Sequence, residues 1–431
     1  MNQEITGLRY RNCKSIQGRP RPSHGVQLDQ IVSLKSQGRP VLVMVAVFFA
    51  HTPTQQAQEK SALIYMGEYQ RTLNALVRYR IMAAEDDGAI LPETERPVKP
   101  GDHYDGVPRL VRLLKRVEDL PADADFADSD LYDGALVTAV QRFQVRHGLE
   151  PTGRIDKTTL AQLNTPLAFR VHQLELAVER WRRNPYDASR PAIVLNLPEF
   201  RLRAFRDGNL ELEMKIVIGK APERKTPFLS TQLEAVIFRP CWNVPLRIQR
   251  EELVPATVRD PSYLSVHDLE TITTNGVVVK RQLSDDVLAQ LRTGRLRLRQ
   301  TPGPKNSLGL AKFVLRNEHD VYMHDTPVRS VFYRLRRDLS HGCIRVEKAE
   351  DLAEWVLRDE SGWSTEHIVE AMQGSESIAV KLTQSIQVVT MYVTAMVLEN
   401  GEVHFFEDIY GEDEVLDQEL TRDACAGPVH R

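Results

Sequence analysis

The stretch AIVLNLPEFRLRAFRDGNLELEM, residues 192–214, decides the architecture. Ala192 to Leu197 is an apolar run of strand length, and Leu202, Ala204, Leu210, Leu212 and Met214 alternate with other residues on either side of Asp207-Gly208. Alternation with a period of two marks a strand with one buried face, and Asp-Gly accepts the positive φ angles of a two-residue hairpin turn. A β-rich domain therefore begins near residue 190. Val321 to Met323 is another short apolar run, and Asn400-Gly401 repeats the hairpin pattern between residues 386–398 and 403–406. Residues 244–300 are more polar, with a helix expected over Asp285–Leu291, and read as an insertion in the β domain.

Upstream the period changes. Leu136, Ala139, Val140 and Phe143 form a helical stripe ended by His147-Gly148, and Asp156 is placed to cap a second helix that buries Leu160 and Leu163. Residues 107–166 are accordingly predicted to be a small helical module. Residues 61–82 also have helical spacing, and 85–106 are rich in Gly, Pro and acid, so 61–106 read as a partial helical scaffold and linker. The end of the chain, residues 413–431, reads as a loose acidic tail.

Within the leader, residues 1–60, Val41 to Ala50 (VLVMVAVFFA) is an apolar run behind Lys35 and Arg39. It is too short to span a bilayer comfortably and fits the hydrophobic core of an export signal or a short membrane anchor, although a small-x-small cleavage site is missing. A chain of 431 residues, 42% hydrophobic and 27% charged, is a folded protein of two or three domains. Its net charge of -3 gives no field for a polyanion, so nucleic acid is excluded as the main partner. Cys13, Cys241, Cys343 and Cys425 are too few for a disulfide scaffold, and no CxxC pair points to zinc or redox work, so no metal or redox cofactor is expected of them.

Cysteine chemistry is left, and Cys343 is the candidate. A thiol attacks a carbonyl as thiolate, so a base must stand near it. Two histidines compete: His341, two residues away, and His324, at the end of a short strand; the residues alone leave both open. Gly342 permits a tight backbone approach, the pattern Ala349, Leu352, Ala353, Val356 predicts that the cysteine loop leads into a helix, and backbone N–H groups in such a loop could hold an oxyanion.

His324 followed by Ser340-His341-Gly342-Cys343-Ile344-Arg345-Val346 resembles the signature of the YkuD-type L,D-transpeptidase domain. Pro240-Cys241-Trp242-Asn243-Val244-Pro245, Gln300 to Asn306, Val321 to Pro327 and Asp408-Ile409-Tyr410-Gly411 are similar to its large, membrane-attached YcbB-like branch. Leu131 to Asn164 resembles the three-helix peptidoglycan-binding domain.

The resemblance implies a multidomain α+β chain. A three-helix module precedes a mainly β catalytic domain over residues 190–412, which carries a capping insertion at 244–300. Cys343 becomes the nucleophile and His324 the base, then the acid. Tyr322, Ser340, His341, Gly342, Arg345, Trp242 and Asn243 surround the oxyanion or the substrate. Arg345 either binds a stem carboxylate or braces the loop against Glu347 or an Asp, and Trp242 lies in the cleft or the core. The implied reaction joins two peptidoglycan stem peptides, donor and acceptor, at their third residues through a thioester. Hydrolysis by an L,D-carboxypeptidase, or attachment of a protein or D-amino acid to peptidoglycan, is the alternative. The implied location is the periplasm or cell envelope, with a membrane as partner if the leader is uncleaved. Cys241 stands where the branch commonly has an aromatic residue, and Cys425 could pair with it in an oxidising compartment.

Overall fold

The computed structural model describes residues 53–126, 130–183, 186, 190–280 and 282–426, with side chains for those from 67 to 422. The apolar segment 41–50, Cys13 and the Cys425 side chain lie outside the described residues. No helix among those described is long and apolar enough to cross a membrane.

The helical part opens with α1 (Pro53–Ala84) and continues through α2 (Val107–Arg116), α3 (Gly134–Arg146), α4 (Lys157–Leu163) and α5 (Leu167–Arg183). A two-stranded ribbon pairs β1 (Asp102–His103) with β2 (Leu131–Tyr132). The α3 stripe expected from the sequence is buried throughout: Leu136, Ala139, Val140 and Phe143 are all at most 3% exposed. Asp156 caps α4 by accepting the Thr159 amide at 2.7 Å. Residues 85–106 lie against the helices, since Leu91 is buried and Val98 bridges to Ile155.

The β part starts with β3 (Ala192–Asn196), β4 (Arg201–Arg206), β5 (Asn209–Gly219) and β6 (Ser230–Phe238). Asp207 and Gly208, at φ 47° and 76°, form the predicted turn, with Arg206 opposite Asn209. The chain then leaves the sheet for a lobe with its own three strands, β7 (Trp242–Asn243), β8 (Leu269–Thr273) and β9 (Leu296–Gln300). A helical run passes from α6 (Leu246–Ile248) through a π turn (Gln249–Leu253) into α7 (Val254–Arg259), followed by α8 (Tyr263–Val266) and α9 (Asp285–Thr293). Val244, Val254, Leu291 and Leu298 form a separate core in the lobe. Gln249, fully buried, ties it together by donating to the Leu291 and Leu296 carbonyls and accepting the Leu298 amide.

The chain re-enters the sheet as β10 (Ala311–Leu315), β11 (Met323–His324), β12 (Asp338–Ser340) and β13 (Ile344–Val346). Helices α10 (Ala349–Leu357) and α11 (Thr365–Gln373) follow, then β14 (Ile378–Met391), the hairpin β15 (Ala395–Val397) with β16 (Val403–Phe405), and α12 (Glu412–Ala426). Around the main sheet the order is β13, β11, β10, β6, β14, β3, β4, β5, and β5 pairs back to β13, which closes the sheet on itself. The apolar run in β3 is continuous because both faces are covered: Ile193 and Leu195 face the barrel core, while Ala192 and Val194 face the helices.

Three expectations change. Residues 386–398 are not one arm of a hairpin: β14 ends at Met391 in the barrel, and only 395–397 pair with 403–405, where Phe405 enters the helical core. The acidic tail is helical and docked as far as the description reaches, because its carboxylates meet cations: Asp413 with Arg180, Glu419 with Arg183. Cys343 does not lead directly into a helix, since β13 intervenes before α10.

Candidate active site

The parallel pair β11 and β13 sets Met323 opposite Ile344 and His324 opposite Arg345, while the Ile344 amide donates to the Tyr322 carbonyl at 3.0 Å. Side chains alternate along a strand, so one face of this pair carries Met323 and Ile344 into the barrel core, both fully buried. The other face carries Tyr322, His324, Cys343 and Arg345 together. Those four line one cavity of about 660 Å3, whose opposite wall is the lobe, including Trp242, Ile248, Tyr263 and Leu269.

His324 is 5% exposed, and its Nδ1 lies 2.5 Å from the Asp325 carbonyl. A carbonyl only accepts, so in the neutral ring Nδ1 carries the proton and Nε2 keeps the lone pair. Burial, then the Arg345 charge, pushes the His324 pKa down to about 3. The ring is thus neutral at physiological pH and free to take a proton. Burial also pushes the Cys343 thiol above its ordinary value, against the Tyr322 amide and hydroxyl and the Lys312 charge, which favour the thiolate. The resting pair is therefore thiol and neutral imidazole rather than thiolate and imidazolium. Sγ of Cys343 donates to the Asp320 carbonyl at 3.7 Å in this state.

The Cys343 loop is held by its neighbours. Ser340 Oγ donates to the Cys343 carbonyl at 2.5 Å and accepts the Gly342 amide at 3.1 Å, so that amide is occupied. Gly342 sits at φ 120°, a conformation suited to glycine, and its carbonyl accepts Thr226 Oγ1 at 2.8 Å. His341 turns away from the thiol: its Nε2 meets Glu252 Oε1 at 2.5 Å, and Arg224 binds the same oxygen at 3.0 Å. Glu252 belongs to the π turn of the lobe, so this triad ties the lobe to the cysteine loop. Burial raises the Glu252 carboxyl, but His341 and Arg224 outweigh it and hold the group below its usual range.

Arg345 makes no ion pair among the described residues, and its Nε is buried without a hydrogen-bond partner. The bracing alternative is unmet, because Glu347 accepts the Lys215 amide and its carbonyl accepts Arg329. Trp242 lines the cavity while packing on the lobe core, so it serves both readings. Asn243 is exposed and absent from the cavity wall. Cys241 is an exposed free thiol. Sequence reasoning missed Lys312, whose Nζ lies 3.9 Å from the Tyr322 ring centroid. The signal was available in Ala311-Lys312-Phe313, where one cation interrupts an apolar strand.

Residues 190–374 match the model of the L,D-transpeptidase catalytic domain, YkuD, and residues 103–163 that described as "Putative peptidoglycan binding domain". A "Putative L,D-transpeptidase" of Haemophilus influenzae is 35% identical over 221 residues, which is 51% of this chain and 44% of that protein. The chain thus spans less than half of that relative. Solved L,D-transpeptidases include one from Mycobacterium smegmatis, 18% identical over 46% of this chain and 58% of its own, with a TM-score of 0.22. One from Xylanimonas cellulosilytica is 13% identical over 69% of this chain and 99% of its own, with a TM-score of 0.20. The cysteine and histidine on one strand-pair face thus lie in the region that matches the YkuD L,D-transpeptidase catalytic domain, and a region that matches a peptidoglycan-binding domain precedes it.

Proposed function

We propose that this chain is an exported L,D-transpeptidase that joins peptidoglycan stems at their third residues through a thioester on Cys343. The observation that carries this is the shared face of β11 and β13, which sets a thiol, a neutral buried imidazole and an unpaired guanidinium in one lobe-covered cavity.

In the first half-reaction Sγ attacks the carbonyl of the third residue while its proton passes to Nε2 of His324. The tetrahedral intermediate collapses, the bond to the terminal D-alanine breaks, and the proton returns from His324 to the leaving amine. An acceptor side-chain amine then attacks the thioester, gives its proton to His324, and the imidazolium returns it to the sulfur. The Tyr322 hydroxyl is placed to donate to the developing oxyanion, and the Arg345 guanidinium to bind a stem carboxylate. The lobe favours an amine over water because it covers the cavity. Peptidoglycan as substrate and the cell envelope as location draw support from the two domain matches.

Intact-protein mass spectrometry with a tetrapeptide donor tests the reading. An acyl adduct of donor minus D-alanine is expected, mapped to Cys343 and absent from Cys343→Ala. Adduct on another thiol sinks the assignment. With an acceptor stem present, cross-linked dimer is expected; release of free tripeptide alone makes the chain an L,D-carboxypeptidase.

A further inference from the structure

Behind the thiol stands a cation that the cysteine signature does not include. Lys312 is the register partner of His324 across β10 and β11, and alternation puts it on the outer face shared by Tyr322 and Cys343, while Ala311 and Phe313 point into the core. Its ammonium lies against the Tyr322 ring, 3.9 Å from the centroid. Among the described residues no carboxylate comes within ion-pair distance of it. Several buried cations elsewhere have carboxylate partners, Arg109 with Asp86 and Asp87, Arg180 with Asp413, Arg203 with Glu199, while Arg170 and Arg337 bond to neutral oxygens instead. A half-buried ammonium with no counter-ion is costly unless an anion forms beside it. Lys312 is also absent from the cavity wall, so it does not reach a bound substrate.

We propose that Lys312 is a positioning residue whose ammonium, held against Tyr322, is the counter-ion of the Cys343 thiolate formed during attack. The inference rests on Cys343 as nucleophile. Lys312 keeps its three protons throughout: the thiol proton goes to His324, and the ammonium stabilises the charge on sulfur until that charge moves to the carbonyl oxygen. Electrostatics agree in direction. Lys312 favours the Cys343 thiolate, and the Cys343 and Asp320 charges raise the Lys312 pKa against a larger lowering by burial. The charged or titratable groups facing the thiol are Lys312 on β10, Asp320 in the loop before β11, Tyr322 and His324 on or beside β11, and Arg345 on β13. Of these, Asp320 opposes the thiolate.

The test is the pH dependence of Cys343 alkylation by iodoacetamide in the full chain, read by peptide mass spectrometry so that other thiols do not interfere. Lys312→Met is expected to raise the midpoint by about one pH unit, so that alkylation below it slows ~10-fold. Lys312→Arg, which keeps the charge, is expected to stay within about threefold of the parent. Donor acylation follows the same order in kcat with little change in KM. An unchanged midpoint in Lys312→Met reduces the residue to packing, and a shift in Lys312→Arg as large as in Lys312→Met removes the charge as the cause. If Lys312→Met does not fold, Lys312→Gln carries the same expectation. The thiol midpoint is measured whether or not Cys343 takes the acyl group, so a failed nucleophile assignment is seen separately in the Cys343→Ala acylation.

Discussion

Arg146 in the helical module is 4% exposed, and Asp119 beside it is fully buried. Arg146 Nε donates to Asp119 Oδ1 at 2.8 Å, one terminal nitrogen to the Val403 carbonyl at 2.8 Å and the other to Asp119 Oδ2 and, at 3.2 Å, the Val117 carbonyl. Arg345 in the cleft has none of this: no ion pair among the described residues, and a buried Nε without a partner. Arg146 ends α3, in the helical core that packs on β3, β4 and β14 of the barrel, whereas Arg345 is on β13, which with β11 lines the cavity. A cation satisfied on every side holds structure together. One left open beside a thiol is poised for an anion that the chain does not supply.

The contrast breaks first at the module. Asp119→Ala leaves Arg146 buried and unpaired and should cost roughly 3–5 kcal/mol. Because the helical core continues into Ala192, Val194, Phe205 and Phe405, module and barrel should lose structure in one urea transition. A loss under about 1 kcal/mol, or two separated transitions, contradicts that. Any protein still folded should acylate at the parent rate.

Arg345→Met should do the reverse. Stability should hold or rise, since a half-buried charge without an ion-pair partner is removed. Donor kcat/KM should fall about 10- to 100-fold, the ~1.5–3 kcal/mol of a hydrogen bond to a charged group. A destabilised variant with unchanged kcat/KM reverses the contrast and makes Arg345 structural.

The two regions also differ in how far the sequence disclosed them. The α3 stripe and the Asp156 cap are local signals with local causes, and both hold in the structure. The Asp207-Gly208 turn is equally local. Within the cleft, Cys343 stood out by chemistry, but His324 is nineteen positions away and only a parallel strand register brings it to the same face. His341 looked closer and is turned aside by Glu252, a residue of the inserted lobe that no spacing connects to the motif. Lys312 was hidden for the same reason: its meaning depends on two strand pairings that assemble late in the chain. The docked tail escaped because an acidic composition reads as solvated until the facing arginines are known.

A smaller effect lies in pH. The His324 pKa of about 3 lies below that of an unfolded histidine, so between pH ~6.5 and 3 the unfolded chain binds more protons. Folding stability from this residue is therefore lost as pH falls through that window. Activity should behave oppositely to an ordinary histidine enzyme: the base form persists, and the acid limb of kcat/KM should lie well below pH 6.5. Burial is the first cause of that depression and Arg345 the largest charge in it, so Arg345→Met should move the acid limb of kcat/KM toward neutral while leaving it below pH 6.5. An acid limb near 6.5 in the parent protein contradicts the buried neutral ring.

The weakest expected effect concerns the contact that joins cleft to lobe. His341, Glu252 and Arg224 form a partly exposed network, unlike the buried Arg146 pair, and such pairs contribute about 1 kcal/mol or less. Glu252→Gln keeps the shape but gives up the charge shared by His341 and Arg224. The fold and Cys343 alkylation should be unaffected, while the lobe closes less tightly over the thioester. Water then competes better with the acceptor amine, and the ratio of tripeptide to cross-linked product should rise about two- to fivefold, the size expected for that free energy. The assay is muropeptide analysis at fixed donor and acceptor. An unchanged ratio means that the lobe is held by its apolar contacts, such as Trp242 and Leu253 at the cavity wall, and that the network only orients His341.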